Sequence, residues 1–243
     1  MKKILCVIPA RYESTRFPGK PLALICNKPM IQWVYEKCMR AESISDVIVA
    51  TDDIRIKETV LGFGGNAVMT SDCKCGTDRV YEASRDLEYD IIINVQGDEP
   101  LMDPKVIDEL AHSFDDCSVV AATVKTRITD LTELDDINVV KVITDVHGNA
   151  IYFSRYPIPY NRDSKKTVEY YKHIGIYGYT KEFLNKFVKL GNGYLEEIEN
   201  LEQLRILENG YKIKVVETDY ISHGVDIPEH ISVIERMIGL GTK

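Results

Sequence analysis

Ile4-Leu5-Cys6-Val7-Ile8-Pro9-Ala10 is the stretch on which the fold turns. It is apolar at every position, where a strand with one wet face would alternate, so both faces must be covered. That is the pattern of a central strand in a parallel sheet. Farther along, Met30, Ile31, Val34, Tyr35, Cys38 and Met39 recur in pairs at helical spacing, which predicts an amphipathic helix opened by Pro29. Asp46 to Asp52 reads as the next strand and Ile54 to Leu61 as a helix. Asp90 to Val95 is another buried strand, Asp103 caps a helix with Val106, Ile107, Leu110 and Phe114 inward, and Val119 to Lys125 is a strand. This alternation predicts an α/β fold: a doubly wound, mostly parallel sheet that binds ligands at the carboxyl ends of its strands.

The second half changes character. Val139 to Thr144 and Ala150 to Ser154 flank the turn Asp145-Val146-His147-Gly148-Asn149 and predict a hairpin. His173 to Tyr179 is a further strand, and Leu195, Ile198, Leu201, Leu204 and Leu207 form one helical stripe closed by Gly210. Lys212 to Glu217 then reads as a strand and Pro228 to Ile238 as a last helix. Antiparallel pieces inserted before a final α/β return predict a small lobe over the ligand edge of the sheet. Within a single domain spanning 1–243, the expected division is a core to about residue 130, a lobe from about 131 to 195, and a return to the core from about 196.

The 243 residues carry a net charge of −8, with 44% hydrophobic and 28% charged residues, which suits an ordinary globular chain. The negative balance argues against nucleic acid or an anionic membrane surface as main partner. No apolar run approaches the ~18 residues of a membrane span. Lys2 and Lys3 imitate a signal peptide, but Pro9 and Arg11 cut the apolar stretch short, so a cytoplasmic protein is expected. Of the six cysteines, Cys73-Lys74-Cys75 resembles half a metal site but has no second pair at zinc spacing, so reduced thiols are expected.

Three segments carry the chemistry. The first strand runs into Pro9-Ala10-Arg11-Tyr12-Glu13-Ser14-Thr15-Arg16-Phe17-Pro18-Gly19-Lys20-Pro21, a loop with three cations, two hydroxyls and a glycine. It has neither dinucleotide nor Walker A spacing, yet it suits a triphosphate: arginines and backbone N–H groups hold oxygens, and Lys20 meets charge building on a leaving pyrophosphate. A solvated basic loop is the plainer alternative. Asn94-Val95-Gln96-Gly97-Asp98-Glu99-Pro100 ends a strand too apolar to be exposed, and Asp98 there is the first candidate for a hard divalent cation. Glu99 either assists electrostatically or caps the turn. Asp226, in Gly224-Val225-Asp226-Ile227-Pro228, is either a helix cap or the second carboxylate of such a site.

In this order these segments closely resemble the Kdo cytidylyltransferase (CMP-Kdo synthetase) family, over essentially the whole chain. The resemblance also runs through Ala50-Thr51-Asp52, Gly76-Thr77-Asp78-Arg79, Val140-Lys141-Val142, Tyr152-Phe153-Ser154-Arg155, His173-Ile174-Gly175-Ile176-Tyr177-Gly178 and Leu201-Glu202-Gln203-Leu204-Arg205. It implies a nucleotide-diphospho-sugar transferase-like fold and transfer of CMP from CTP to the C2 hydroxyl of Kdo, with release of pyrophosphate, for lipopolysaccharide synthesis. It implies that Pro9 and Ala10 bind the nucleotide, that Arg11, Ser14, Arg16 and Lys20 hold its phosphates, and that Thr51, Asp52, Cys75, Gly76, Arg79 and Gln96 surround its base and ribose. It further implies that Asp98 and Asp226 bind Mg2+ and that Arg155, His173, Tyr177, Glu202 and Gln203 line the Kdo pocket. Lys20, Asp98 and Asp226 are then the catalytic residues. A homodimer through the second lobe is implied too, with the tyrosine-rich stretch from Tyr152 to Tyr179 as its surface or as a pocket wall.

Two departures stand out: Cys75 replaces the family's usual serine, and Asp78 the glutamate of many members. Gly-Thr-Asp-Arg resembles a branch that uses 8-amino-Kdo. A synthetase for another acid sugar such as sialic acid would share the first loop and the two aspartates but lack the Leu-Glu-Gln-Leu-Arg and Tyr-Phe-Ser-Arg segments. A non-catalytic sensor on the same fold would be expected to lose Lys20 or one of the two aspartates.

Overall fold

Alternate residues of β1 (Ile4–Ala10) enter different cores: Leu5 and Val7 pack into one, Cys6 and Ile8 into the other, and all four are fully buried. A computed structural model describes residues 2–163 and 166–241. After β1 come the short β2 (Leu24–Ile25) and β3 (Lys28–Pro29), α1 (Met30–Cys38), β4 (Asp46–Thr51), α2 (Ile54–Gly62), β5 (Ala67–Met69), α3 (Gly76–Ser84), β6 (Ile91–Asn94), α4 (Pro104–His112) and β7 (Ala121–Arg127). The second half holds β8 (Lys141–Thr144), β9 (Ala150–Ser154), β10 (Tyr171–Thr180), α5 (Lys181–Phe187), α6 (Tyr194–Glu199), α7 (Gln203–Glu208), β11 (Lys214–Thr218) and α8 (Glu229–Gly241).

The main sheet runs β11-β7-β10-β6-β1-β4-β5. β1 is parallel to β4 and β6, β4 to β5, and β11 to β7, while β10 lies antiparallel between β6 and β7. Helices α1, α2 and α4 bury Ile31, Val34, Ile56, Val60, Ile107 and Leu110 against one face. Helices α3, α5 and α7 bury Val80, Phe183, Phe187 and Leu204 against the other. The sheet is therefore doubly wound, and the loops after β1, β4 and β6 open on one edge.

β10 makes that edge asymmetric. Its second half pairs with β6, from Tyr177 opposite Asn94 to Thr180 opposite Ile91. Its first half runs past the end of β6, pairing with β7 and, at Lys172, with β8 of the antiparallel β8–β9 hairpin. The register shifts between Ile174 and Tyr177, a bulge that re-aims side chains beside the site.

The stripe from Leu195 to Leu207 is not one helix. Asn200 takes φ 51°, and the chain breaks into α6 and α7. Asparagine tolerates this left-handed conformation better than most residues. The break leaves Ile198 68% exposed while Leu201 is buried. Helix α3 escaped the sequence reading because Thr77 and Arg79 stand buried among its apolar positions.

Candidate active site

Gly19 closes the long loop after β1. Its φ of +71° lies in the left-handed region, and a Cβ there would stand 3.1 Å from the Tyr12 ring, so only glycine fits. The backbone bond from Gly19 N to Tyr12 O (2.8 Å) then delivers Lys20 into a short 3-10 turn. Lys20 Nζ sits 2.5 Å from Asp98 Oδ2 and donates to Val225 O at 3.0 Å. One ammonium thus ties the loop after β1, the turn after β6 and the segment before α8.

A Cβ on Gly97 would lie 3.0 Å from Pro9 O, so the glycine lets the Asp98 turn close onto the end of β1. Asp226 is no simple helix cap: Arg16 Nη2 donates to its Oδ1 at 2.9 Å, and its own N–H donates to His230 Nδ1. Each candidate metal carboxylate therefore faces a side-chain cation, Lys20 on Asp98 and Arg16 on Asp226.

These groups line a cleft of about 320 Å³ with Pro9, Ala10, Arg11, Ser14, Cys75, Gly76, Arg79 and Gln96. Arg11, Arg16, Lys20, Lys74 and Arg79 oppose only Asp98 and Asp226 in its wall, so the cleft is cationic in a chain of net charge −8. The N-terminus of α3 opens on it at Gly76, adding helix-end N–H groups and the positive end of the helix dipole. This is a site for a polyanion.

An adjoining hollow of about 310 Å³ is lined by Arg11, Tyr12, Asp52 and Arg79. Arg79 is buried, pairs with Asp52 at 2.5 Å and also bonds the Thr70 hydroxyl. Thr51 lies beneath, fully buried, accepting from the Asp53 N–H at 3.2 Å.

A second group stands where β10 overhangs the edge. Glu202 accepts from Thr77 Oγ1 at 2.9 Å and from Cys75 Sγ at 3.3 Å. Burial raises its carboxyl above the usual range, opposed by those hydrogen bonds. Burial and then the Glu202 charge push the Cys75 thiol up to about 12, so it is a donor and not a nucleophile. Burial, reinforced by Glu202, likewise holds the Tyr177 phenol well above its ordinary value. His173 packs between Phe153 and Tyr177, with Nε2 2.9 Å from Thr123 Oγ1. Thr123 donates its own hydrogen to Ile176 O, which assigns the ring proton to Nε2. The residue as a whole is half-buried, but its ring is enclosed enough that desolvation drops its pKa to about 3 and keeps it neutral. Gln203 is buried at the start of α7.

Arg155 is engaged elsewhere. Its guanidinium donates to Glu199 O (2.7 Å), Ile137 O (2.8 Å) and Asn200 O (3.1 Å), clamping the bend between α6 and α7. Like His173, Tyr177, Glu202 and Gln203, it is not part of the wall of the cationic cleft. Glu99 is also outside it; burial pushes its carboxyl up to about 7, with Asp98 adding to the rise and Ser222 and Tyr220 opposing it.

The sequence matches a family model described as cytidylyltransferase over residues 5–213. The 3-deoxy-manno-octulosonate cytidylyltransferase of Geotalea daltonii is 52% identical over 248 aligned residues, covering 97% of this chain and 98% of that one. The chain belongs to the 3-deoxy-manno-octulosonate cytidylyltransferase family. The family member of Desulfatibacillum aliphaticivorans is 51% identical, over 97% of this chain and 98% of its own. A solved CMP-2-keto-3-deoxy-manno-octonic acid synthetase, determined with CTP, superposes with a TM-score of 0.94 at 40% identity, covering 98% of this chain and 99% of that one. A 4-diphosphocytidyl-2C-methyl-D-erythritol synthase from Anaerococcus prevotii shares the fold at a TM-score of 0.65 and 16% identity.

Lys74 and Cys73 also line the cleft and were not anticipated. The signal for Lys74 was a cation directly before the helix-opening Cys75-Gly76, close to where an anion meets a helix N-terminus.

Proposed function

We propose that the chain transfers CMP from CTP to the C2 hydroxyl of Kdo and releases pyrophosphate. The observation that carries this reading is the cationic cleft in which Lys20 lies on Asp98, at the edge where β1, β4 and β6 end. The triphosphate would rest on Arg11, Arg16, Lys20 and the N-terminus of α3. Base and ribose would lie toward Asp52, Cys75, Arg79 and Gln96. The sugar would enter beneath β10, where Glu202, Gln203, Tyr177 and neutral His173 supply acceptors, donors and an aromatic face. Kdo is favoured over its 8-amino form and over sialic acid because the relatives at about half identity are named for Kdo.

The donor set at Asp98 and Asp226 fits magnesium. Mg2+ is typically held by one or two carboxylates together with substrate phosphates, and two carboxylates on facing loops provide that. Among the described residues no group of three or more acidic, histidine or cysteine side chains forms a cage, so the substrate would complete the coordination. When bound there, the ion would neutralise phosphate charge and acidify the attacking hydroxyl. The chain's own work is positioning: Arg11 and Arg16 fix the triphosphate for in-line attack, and Lys20 leaves Asp98 to meet the pyrophosphate as its charge grows. No side chain is needed as a strong base.

The protein is further read as a cytoplasmic homodimer. All six cysteines are unpaired, which suits a reducing compartment. Among the described residues no helix is long and apolar enough to cross a membrane. Ile137, Ile151, Tyr156 and Tyr160 are each exposed on the second lobe, and exposed apolar and aromatic side chains of this kind suit contact with a second copy. Of the Tyr152–Tyr179 stretch, residues 164 and 165 lie outside the described residues. The test of the reaction is turnover of Asp98→Asn and Asp226→Asn in Mg2+. Both should lose activity while keeping the wild-type fold; near-normal activity in either removes the metal assignment.

A further inference from the structure

We infer that Glu99 is a positioning residue that sets the spacing of Asp98 and Asp226 by strapping the segment after β11 onto the Asp98 turn. The inference rests on the reading of those two aspartates as the metal pair. Ser222 Oγ donates to Glu99 Oε1 at 2.5 Å, and Tyr220 OH donates to Oε2 at 3.4 Å. The strap continues on the backbone: Val225 N–H donates to Asp98 O at 2.9 Å, and Lys20 Nζ holds Val225 O at 3.0 Å. Gly224 packs so closely that a Cβ there would stand 3.2 Å from Glu99 Oε1.

Capping the turn is not what the carboxylate does. The turn is already closed by backbone bonds, from Glu99 N to Gln96 O (3.4 Å) and from Met102 N to Glu99 O (3.1 Å). The Glu99 side chain instead reaches across to the segment that carries Asp226, a residue far away in sequence. Asp98 and Asp226 belong to different elements, and an ion held by both requires their separation to be fixed before it arrives.

The experiment follows the Mn2+ EPR signal as enzyme is titrated into a Mn2+–CTP complex, with the sugar omitted so that nothing turns over. Binding of metal-free CTP in chelator is measured in parallel, for wild type, Glu99→Ala, Glu99→Gln, Ser222→Ala and Asp98→Asn. Glu99→Ala is expected to weaken Mn2+–CTP binding by about 10-fold, with metal-free CTP binding unchanged. Glu99→Gln, whose amide oxygen still accepts from Ser222, should recover most of the loss, and Ser222→Ala should fall between. A general loss of structure would weaken both ligands together and would overturn the inference. So would wild-type Mn2+–CTP affinity in Glu99→Ala and Ser222→Ala alongside a loss in Asp98→Asn. If Glu99→Ala does not fold, Ser222→Ala decides by the same comparison. Wild-type Mn2+–CTP binding by Asp98→Asn would instead overturn the metal reading itself, and this inference with it.

Discussion

Lys20 Nζ lies 2.5 Å from Asp98 Oδ2, so the residue expected to meet the leaving group is held on a carboxylate expected to meet the metal. Replacing Lys20 with Met keeps the stem and removes the charge. Turnover should fall by about 10²- to 10³-fold, the usual cost of losing one preorganised charge contact to a transition state. Steady-state pyrophosphate release measures this.

Arg155 should behave mainly as a clamp. Arg155→Ala leaves the Glu199 and Asn200 carbonyls at the α6–α7 bend, and the Ile137 carbonyl before β8, without their donor, at a cost of about 1–2 kcal/mol because two of the three bonds are exposed. Thermal unfolding should show a Tm lower by several degrees. The bend presents Glu202 and Gln203, so KM for the sugar should rise while KM for CTP stays near wild type. Arg155→Lys cannot span all three acceptors and should recover little.

Cys75→Ser tests the departure from the family pattern. The thiol accepts from Asp78 N–H at 3.4 Å and donates to Glu202 at 3.3 Å, both as a weak sulfur partner. Serine is a strong helix N-cap, so the variant should gain up to about 1 kcal/mol, seen as a higher Tm, with kcat/KM kept within several-fold. A lower Tm would mean that the longer side chain is needed to reach Glu202.

His173 gives a signed pH prediction. Its folded pKa, depressed to about 3 by desolvation, lies below the ordinary 6.5, so the unfolded chain binds the extra proton first. The stability contributed by the neutral ring is complete above about pH 6.5 and is lost progressively as pH falls toward about 3. His173→Gln should flatten that part of the stability curve in urea titrations from pH 4 to 8. An unchanged slope would contradict the buried neutral imidazole.

Much of this was readable before any coordinates. The unbroken apolar run of β1 implied cover on both faces, and Leu5 and Cys6 do enter opposite cores. The loop after β1 announced its cations, and the structure gathers Arg11, Arg16 and Lys20 in one cleft. What stayed hidden depends on distant partners. The stripe through Leu195 and Leu201 keeps helical spacing across Asn200, and only the carbonyls turned toward Arg155 explain the break. Arg79 breaks the apolar spacing of its segment, and its burial on Asp52, which spacing alone does not show, masked α3. Glu99 was ambiguous because Ser222 and Tyr220, its partners, are more than a hundred residues away.

The central claim is tested most directly by pyrophosphate release in Mg2+ with CTP or UTP, each crossed with Kdo, 8-amino-Kdo and N-acetylneuraminate. The account predicts rapid release with CTP and Kdo, and little with UTP or N-acetylneuraminate. Release with UTP alone, or no preference for Kdo over N-acetylneuraminate, would contradict it.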